Sequence, residues 1–96
     1  MYKLLFRPSA NNDVQEIVNY YDVIEIKLSD VFLKELENTL KYIKSMPEAC
    51  QEKMKNIRVS YLKRFKFGVY FKIYNKTIGV IAVLHSSRNP QIWKFM

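Results

Sequence analysis

The feature that most constrains the fold is a pair of adjacent apolar runs, Phe65–Tyr74 and Ile78–Leu84. In the first run Phe, Val and Ile occupy the odd-numbered positions, whereas Lys and Tyr occupy most of the even ones. This alternation predicts a strand with one buried face and one wetter face. The second run is almost continuously apolar, which is typical of a strand covered on both faces. Asn75 and Lys76 stand between the runs and predict a tight turn, because Asn tolerates the left-handed backbone conformation. We therefore expect an antiparallel hairpin.

The amino-terminal part of the chain predicts a strand followed by a helix. Residues 2–6 are β-prone and favour a strand that ends before Pro8, because proline cannot donate to a strand ladder. Apolar residues at three- and four-residue spacing then predict one face of a helix over roughly residues 10–24. Ser9 or Asp13 is the expected cap of this helix.

The middle of the chain predicts a second helix and a further strand. A stripe that begins at Phe32 predicts a helix over roughly residues 29–46, which Pro47 follows. Residues 47–56 show no apolar periodicity and are expected to form a loop. Ile57–Leu62 alternates and predicts a strand, with a turn at Lys63 and Arg64 before the long hairpin.

These elements predict one α+β domain over residues 1–96, in the order β-α-α-β-β-β. We expect an N-terminal strand, an antiparallel helical hairpin and a three-stranded antiparallel meander. The helical hairpin should cover one face of the sheet, because an amphipathic helix buries its apolar stripe against another element.

Charge is distributed unevenly along the chain. Residues 1–52 contain six Lys or Arg and nine Asp or Glu, whereas residues 53–96 contain ten Lys or Arg and no acidic residue. A segment of this composition is expected to project a positive potential toward phosphates or an acidic protein. The alternative interpretation is a solubilising surface.

Several classes of protein are excluded by simple features of the sequence. We expect no secretory signal, because no basic-then-apolar segment with a cleavage site precedes the first strand, and no apolar run approaches the roughly 20 residues that span a bilayer. Cys50 is the only cysteine, so an internal disulfide and a cysteine-based metal site are both excluded, and we assign Cys50 no role. We expect a cytoplasmic protein with no membrane partner, no metal and no cofactor.

Four stretches, taken in order, resemble the RelE/ParE superfamily, the toxins of type II toxin–antitoxin modules. They are Ile17–Tyr21; Phe32–Leu36 with Leu40, Ile43 and Pro47; Asn56–Arg58 with Leu62–Phe71; and Val80–Trp93 with its His85-x-x-Arg88-Asn89-Pro90 ending. The resemblance implies a growth-inhibiting toxin that a cognate antitoxin neutralises within a hetero-oligomer. It also implies that the antitoxin wraps the toxin with an acidic or amphipathic segment, which agrees with the unopposed cations of residues 53–96.

The resemblance leaves the target open, because members of one fold family differ in what they act on. ParE-like members inhibit DNA gyrase without a catalytic site, and RelE-like members cut mRNA in the ribosome. The ending from His85 to Arg88 is more similar to ParE-type tails, and no Tyr follows Tyr74. We therefore expect a gyrase inhibitor, with a ribosome-dependent mRNA endoribonuclease as the alternative. A member that only binds its antitoxin as a co-repressor is a third hypothesis.

If the chain is a ribonuclease, its candidate catalytic residues are His85, Arg58 and Arg88. His85 is the only histidine and has an intrinsic pKa suited to general acid or base catalysis. The two arginines could hold a phosphate and stabilise the charge that develops in the transition state. The alternatives are a structural histidine at a turn and arginines that bind carboxylates of the antitoxin.

Cations on the predicted sheet are candidates for binding nucleic acid or another target. They are Lys53, Lys55, Lys63, Arg64 and Lys66, expected as a belt along the sheet edge, together with Arg88. Three tyrosines could stack on bases or pack on the sheet: Tyr61, Tyr70 and Tyr74. The apolar residues Trp93, Phe95 and Met96 near the end of the chain are expected to fold back as a lid.

Overall fold

The computed structural model describes residues 2–86 and confirms the predicted α+β order, with one added strand. The strands are β1 (Lys3–Phe6), β2 (Gln51–Met54), β3 (Ile57–Tyr61), β4 (Phe67–Tyr74) and β5 (Thr77–His85). The helices are α1 (Pro8–Ile24), α2 (Ile26–Ser45) and a short 3-10 helix (Pro47–Ala49). The final stretch of the sequence, with Arg88 and the predicted lid, lies outside the described residues.

The five strands form one sheet in the order β1-β5-β4-β3-β2. Strands β3, β4 and β5 pair in succession as an antiparallel meander, which confirms the prediction. Strand β1 instead runs parallel to β5, with Lys3 opposite Thr77, because the two helices carry the chain across the sheet. The first and last strands of the described chain are therefore direct neighbours.

Helix α1 begins two residues earlier than the sequence predicted. Pro8 is the first helical residue, a position that suits proline because the first amide of a helix has no intrahelical partner. Neither predicted cap is used as such. Ser9 donates its hydroxyl hydrogen to the carbonyl oxygen of Ile81, and the Asp13 carboxylate accepts the backbone N–H of Val83 at 3.0 Å. Both side chains therefore fix α1 to β5.

Glu25 alone connects the two helices, although the sequence predicted a connection over residues 26–29. Its extended backbone, with φ −167° and ψ 127°, reverses the chain, and α2 begins at Ile26. The hydroxyl of Ser29 donates to the Asp22 carboxylate and closes the hairpin. Ile26 is exposed, and the buried residue of the first turn of α2 is the polar Ser29, so apolar spacing could not reveal where this helix begins.

Residues 47–56 are not the predicted loop but contain the 3-10 helix and strand β2. Every residue of β2 is exposed, and the strand pairs with β3 at the edge of the sheet, with a bulge between Glu52 and Met54. Such a strand buries no apolar face, so it leaves no hydrophobic alternation in the sequence. Asn56 closes the β2–β3 turn at φ 69°, in the left-handed region that asparagine tolerates.

The long hairpin forms as predicted, and Asn75 supplies its turn at φ 56°. The pairing shifts by one residue on β5, because Val80 pairs with Phe71 whereas Ala82 pairs with Tyr70. Ile81 is therefore an extra residue, and the bulge that it forms locally increases the bend and twist of β5.

The sheet is apolar on both faces. The main core lies between the sheet and the helices and joins Phe32 and Ile43 to residues such as Phe71 and Val80. A second cluster draws only on strands and occupies the other face: Ile57, Val59, Tyr70, Ile81 and Ala82. The expectation of a wetter face on β4 is thus wrong at Tyr70. Burial, together with the charge and hydrogen bond of Tyr61, raises the pKa of the Tyr70 hydroxyl.

Candidate functional site

His85 lies at the end of β5 on the side of the sheet that faces α1. Its ring packs edge-to-face on Phe67, with 5.2 Å between ring centroids. A cavity of about 300 Å³ opens beside His85 and is lined also by Asp13, Glu16 and Tyr20. A separate cavity of about 340 Å³ is lined by other residues. The acidic residues of α1 therefore stand beside the imidazole. The sequence concealed this arrangement, because Asp13 and Glu16 belong to the acidic half of the chain and reach β5 only through the fold.

A network of aromatic rings ties His85 to the helical hairpin. Phe67 packs on Phe32 at 5.6 Å, and Phe32 contacts Phe65 at 5.5 Å and Tyr21 at 5.9 Å. The pairs of Phe32 with Phe67 and with Phe65 are edge-to-face, which is favourable because the positive ring edge meets the negative ring face, and the pair with Tyr21 is tilted. The network joins α1, α2 and β4, so the position of the imidazole depends on the packing of all three elements.

Arg58 is held away from His85. Its guanidinium donates hydrogen bonds to the carbonyl oxygens of Cys50 at 2.7 Å and Glu48 at 3.2 Å, so it stabilises the turn between the 3-10 helix and β2. Arg58 pairs with Phe71, whereas His85 pairs with Phe67. Strands β3 and β5 are two strand spacings apart, and Phe67 and Phe71 are four residues apart along β4. The backbones of Arg58 and His85 are therefore about 16 Å apart. The structure therefore does not bring these two candidate residues together.

The predicted belt of cations is divided between the two ends of the sheet. Lys53 and Lys55 lie at the end that carries the β2–β3 turn. Lys63, Arg64 and Lys66 lie at the opposite end, in the connection between β3 and β4, where the backbone of Lys66 accepts a hydrogen bond from the Ser86 N–H. The second group shares its end of the sheet with His85.

Arg64 is anchored by Glu35 of α2. Glu35 is only 8% exposed, and its carboxylate accepts the backbone N–H of Arg64 through Oε1 and the Nε–H through Oε2 at 2.9 Å. Burial alone would raise the pKa of the Glu35 carboxyl, but these hydrogen bonds, the guanidinium charge and the backbone N–H of Phe65 hold the pKa below its usual value. The pair fixes the β3–β4 connection against α2.

Replacing Glu35 by Gln should lower the free energy of unfolding by about 1 kcal/mol at pH 7, because a charged acceptor is lost. A carboxyl whose pKa is lower in the folded state stabilises the protein above its unfolded pKa of about 4.3. That contribution disappears as the pH falls through the folded pKa. The difference in unfolding free energy between parent and variant, measured by urea titration, should therefore shrink below about pH 4. Equal differences at pH 7 and pH 3 would contradict this assignment.

Glu35 was not among the candidate residues, although a signal for it was present. It lies three residues after Phe32 on the apolar stripe of α2, and Thr39 follows at the next turn. A carboxylate on a buried stripe needs a hydrogen-bonded or charged partner, since an unpaired buried charge is costly. The sequence could thus have predicted a cationic partner for Glu35, but not that the partner is Arg64.

The three candidate stacking tyrosines differ in their surroundings. Tyr70 is buried and so cannot stack on a base, whereas Tyr61 and Tyr74 are exposed. The Tyr74 hydroxyl accepts a hydrogen bond from Arg7 at 3.1 Å.

Within residues 2–86 there is no group of three or more His, Cys, Asp or Glu side chains that could hold a metal ion. No helix in this part of the chain is both long and apolar enough to cross a membrane.

Comparisons with known proteins relate this fold to one group. The family described as the ParE toxin of the type II toxin–antitoxin system, parDE, matches residues 4–90. A solved structure of the chromosomal ParDE toxin–antitoxin system from P. aeruginosa is similar with a TM-score of 0.78, and the alignment covers 88% of this chain and 96% of that chain. The two sequences are 17% identical, so this likeness concerns the fold alone. No curated protein sequence matches the chain.

Proposed function

This chain belongs to the ParE toxin family of type II toxin–antitoxin systems, and we propose that it arrests growth by inhibiting DNA gyrase without a catalytic step. A cognate antitoxin with an acidic or amphipathic segment neutralises it in a cytoplasmic hetero-oligomer. The ten cations of residues 53–96, with no acidic residue among them, support a partner of this charge.

The separation of Arg58 from His85 carries the preference for gyrase over mRNA. Cleavage of RNA through its 2′-OH needs a base or acid and a cation that stabilises the developing phosphate charge, both within a few ångströms of the reacting atoms. Arg58 instead donates to the backbone carbonyls of Glu48 and Cys50 at the other end of the sheet. The carboxylates of Asp13 and Glu16 near His85 would also repel a phosphate.

The proposal is tested with purified protein in two assays that separate the targets. We expect the protein to inhibit supercoiling of relaxed plasmid by DNA gyrase and to leave ribosome-bound mRNA uncut. Expression in bacteria should arrest growth. A variant with His85→Gln should still inhibit gyrase, because the proposed activity needs no acid–base group.

The opposite results identify the alternatives. A ribonuclease that uses His85 would cut mRNA on the ribosome and would lose about 10²–10⁴-fold in rate with His85→Gln. Cleavage of mRNA with unimpaired supercoiling would overturn the proposal. An absence of growth arrest, with a folded protein confirmed by circular dichroism, would indicate a member that only binds its antitoxin as a co-repressor.

A further inference from the structure

A groove that the proposed activity does not use runs between α2 and the end of β3. It has a volume of about 620 Å³, and we call it the α2 groove. Its lining comes from α2, from β3 and from the connection that follows: Glu35, Asn38, Thr39, Tyr42, Ser60, Tyr61, Lys63 and Arg64. A groove of this size accommodates a short stretch of polypeptide, with several side chains inside it.

Tyr42 supplies the apolar part of the α2 groove and is 45% exposed. Tyr61 contributes to the lining only at the end of β3, because its ring packs beside Gly68 and Val59 on the face away from the helices. Val31 lies on the same side of α2 as Asn38 and Tyr42, because spacings of seven and eleven residues return to nearly the same direction on a helix. Val31 is also exposed, so the apolar surface continues along the helix beyond the groove.

Two cations supply the charged part of the α2 groove. Glu35 binds Arg64 only through the backbone N–H and Nε–H, and the Arg64 side chain remains 74% exposed. The outer edge of the guanidinium, with its two Nη groups, is therefore available for a second carboxylate. A guanidinium fixed on one edge is pre-organised for bidentate binding on the other, so little side-chain entropy is lost. Lys63 adds a second positive charge beside it.

We propose that the α2 groove binds an acidic amphipathic segment of a protein partner, with apolar side chains against Tyr42 and carboxylates on Lys63 and Arg64. The inference rests on the proposed function, in which an antitoxin neutralises the chain, and it places one antitoxin segment here. The charges of groove and segment are complementary, and complementary charges raise specificity and association rate.

A nucleic acid fits the α2 groove less well. Binding to a phosphate backbone needs a track of several cations, since each phosphate is met by its own positive charge. The groove is lined by Lys63 and Arg64, and Lys66 of the same connection is not part of the lining, whereas Lys53 and Lys55 lie at the far end of the sheet. The exposed Val31 further along α2 would find no apolar partner on a phosphate backbone.

The probe for this inference is a fluorescein-labelled peptide of Leu-Glu-Glu-Ala repeats, with a peptide of Leu-Lys-Lys-Ala repeats as its charge-reversed control. Fluorescence anisotropy should show binding of the acidic peptide to the full chain and weak or absent binding of the basic one. Lys63→Glu should weaken binding by about five-fold, and Tyr42→Ala should weaken it by about five- to ten-fold.

Two matched variants separate the α2 groove from general effects of charge and exposed aromatic area. Lys76→Glu changes the net charge as much as Lys63→Glu but lies in the β4–β5 turn, and Tyr20→Ala removes an exposed tyrosine from α1. Both should bind the acidic peptide within about two-fold of the parent. The inference would be overturned if a groove variant and its matched control lost the same affinity for the acidic peptide, or if the parent did not bind this peptide. The inference would also be overturned if labelled oligouridylate bound more tightly than the acidic peptide and lost this binding in the Lys63→Glu variant.

Growth arrest and gyrase inhibition by the parent are measured in parallel. A failure of the α2 groove as a partner site can then be distinguished from a failure of the proposed target. Inhibition of gyrase without binding of the acidic peptide would refute the α2 groove as a partner site and leave the proposed function standing. Groove-dependent peptide binding without growth arrest or gyrase inhibition would refute the proposed target and support the groove as a surface for an acidic partner.

Discussion

Replacing Phe32 by Ala should lower the free energy of unfolding by about 3–5 kcal/mol, a large part of the stability of a chain of this size. Phe32 is 0% exposed and contacts the rings of Tyr21, Phe65 and Phe67. Truncation removes these contacts and leaves a cavity between two rigid layers, the helices and the sheet, which cannot collapse fully. Equilibrium unfolding in guanidinium chloride measures the effect.

The neighbouring residue is a matched control for this prediction. Leu33 is 40% exposed on the same helix, and Leu33→Ala should cost about 1 kcal/mol or less. Since the imidazole of His85 packs on Phe67, the Phe32→Ala variant should also shift the histidine ring signals in a proton NMR spectrum. Similar losses of stability in both variants would show that the aromatic network does not stabilise the fold as described.

Replacing Gly68 by Ala should lower the free energy of unfolding by about 1–3 kcal/mol through overpacking. A Cβ atom at this position would lie 2.9 Å from the Val59 Cγ2 atom and 3.0 Å from the Tyr61 ring. Val59 belongs to the second cluster and is buried, so it cannot move aside without displacing β3. Thermal unfolding followed by circular dichroism measures the loss.

Gly79→Ala provides the comparison. A Cβ atom there would meet the ring of Tyr74 at 3.1 Å, but that ring is exposed and can swing toward solvent. We expect a cost of less than about 1 kcal/mol, together with some weakening of the Arg7–Tyr74 hydrogen bond. A larger cost at Gly79 than at Gly68 would contradict the view that β3 and β4 pack tightly on the face away from the helices.

The sequence predicted those parts of the fold that bury a periodic apolar surface. The alternation of residues 65–74 and the continuous run after Asn75 specified the long hairpin, and the structure confirms it. The same logic failed for β2, which is exposed at every position. The prediction from alternation also failed at Tyr70. The hydroxyl of this residue suggested a position that faces solvent, whereas its ring is buried in the second cluster.

The candidate site was less predictable, because it depends on contacts between distant segments. Nothing local to Arg58 reveals that backbone carbonyls at residues 48 and 50 hold its guanidinium. The acidic character of the pocket at His85 arises only when α1 packs on β5. The amino-acid composition of a segment predicts the sign of its own charge. The electrostatic potential at a site also depends on which other segments the fold brings there.

The pairing of β1 with β5 has a consequence for synthesis of the protein. Lys3 leaves the ribosome early, but its partner Thr77 is made only after the helices and three further strands. Because chain elongation adds about 5–20 residues per second, the first strand waits several seconds for its neighbour. The complete sheet therefore assembles only after β5 has been made, and chains truncated before β5 lack the partner strand of β1. The protein thus acquires its complete fold only after synthesis of β5, however early its first strand is made.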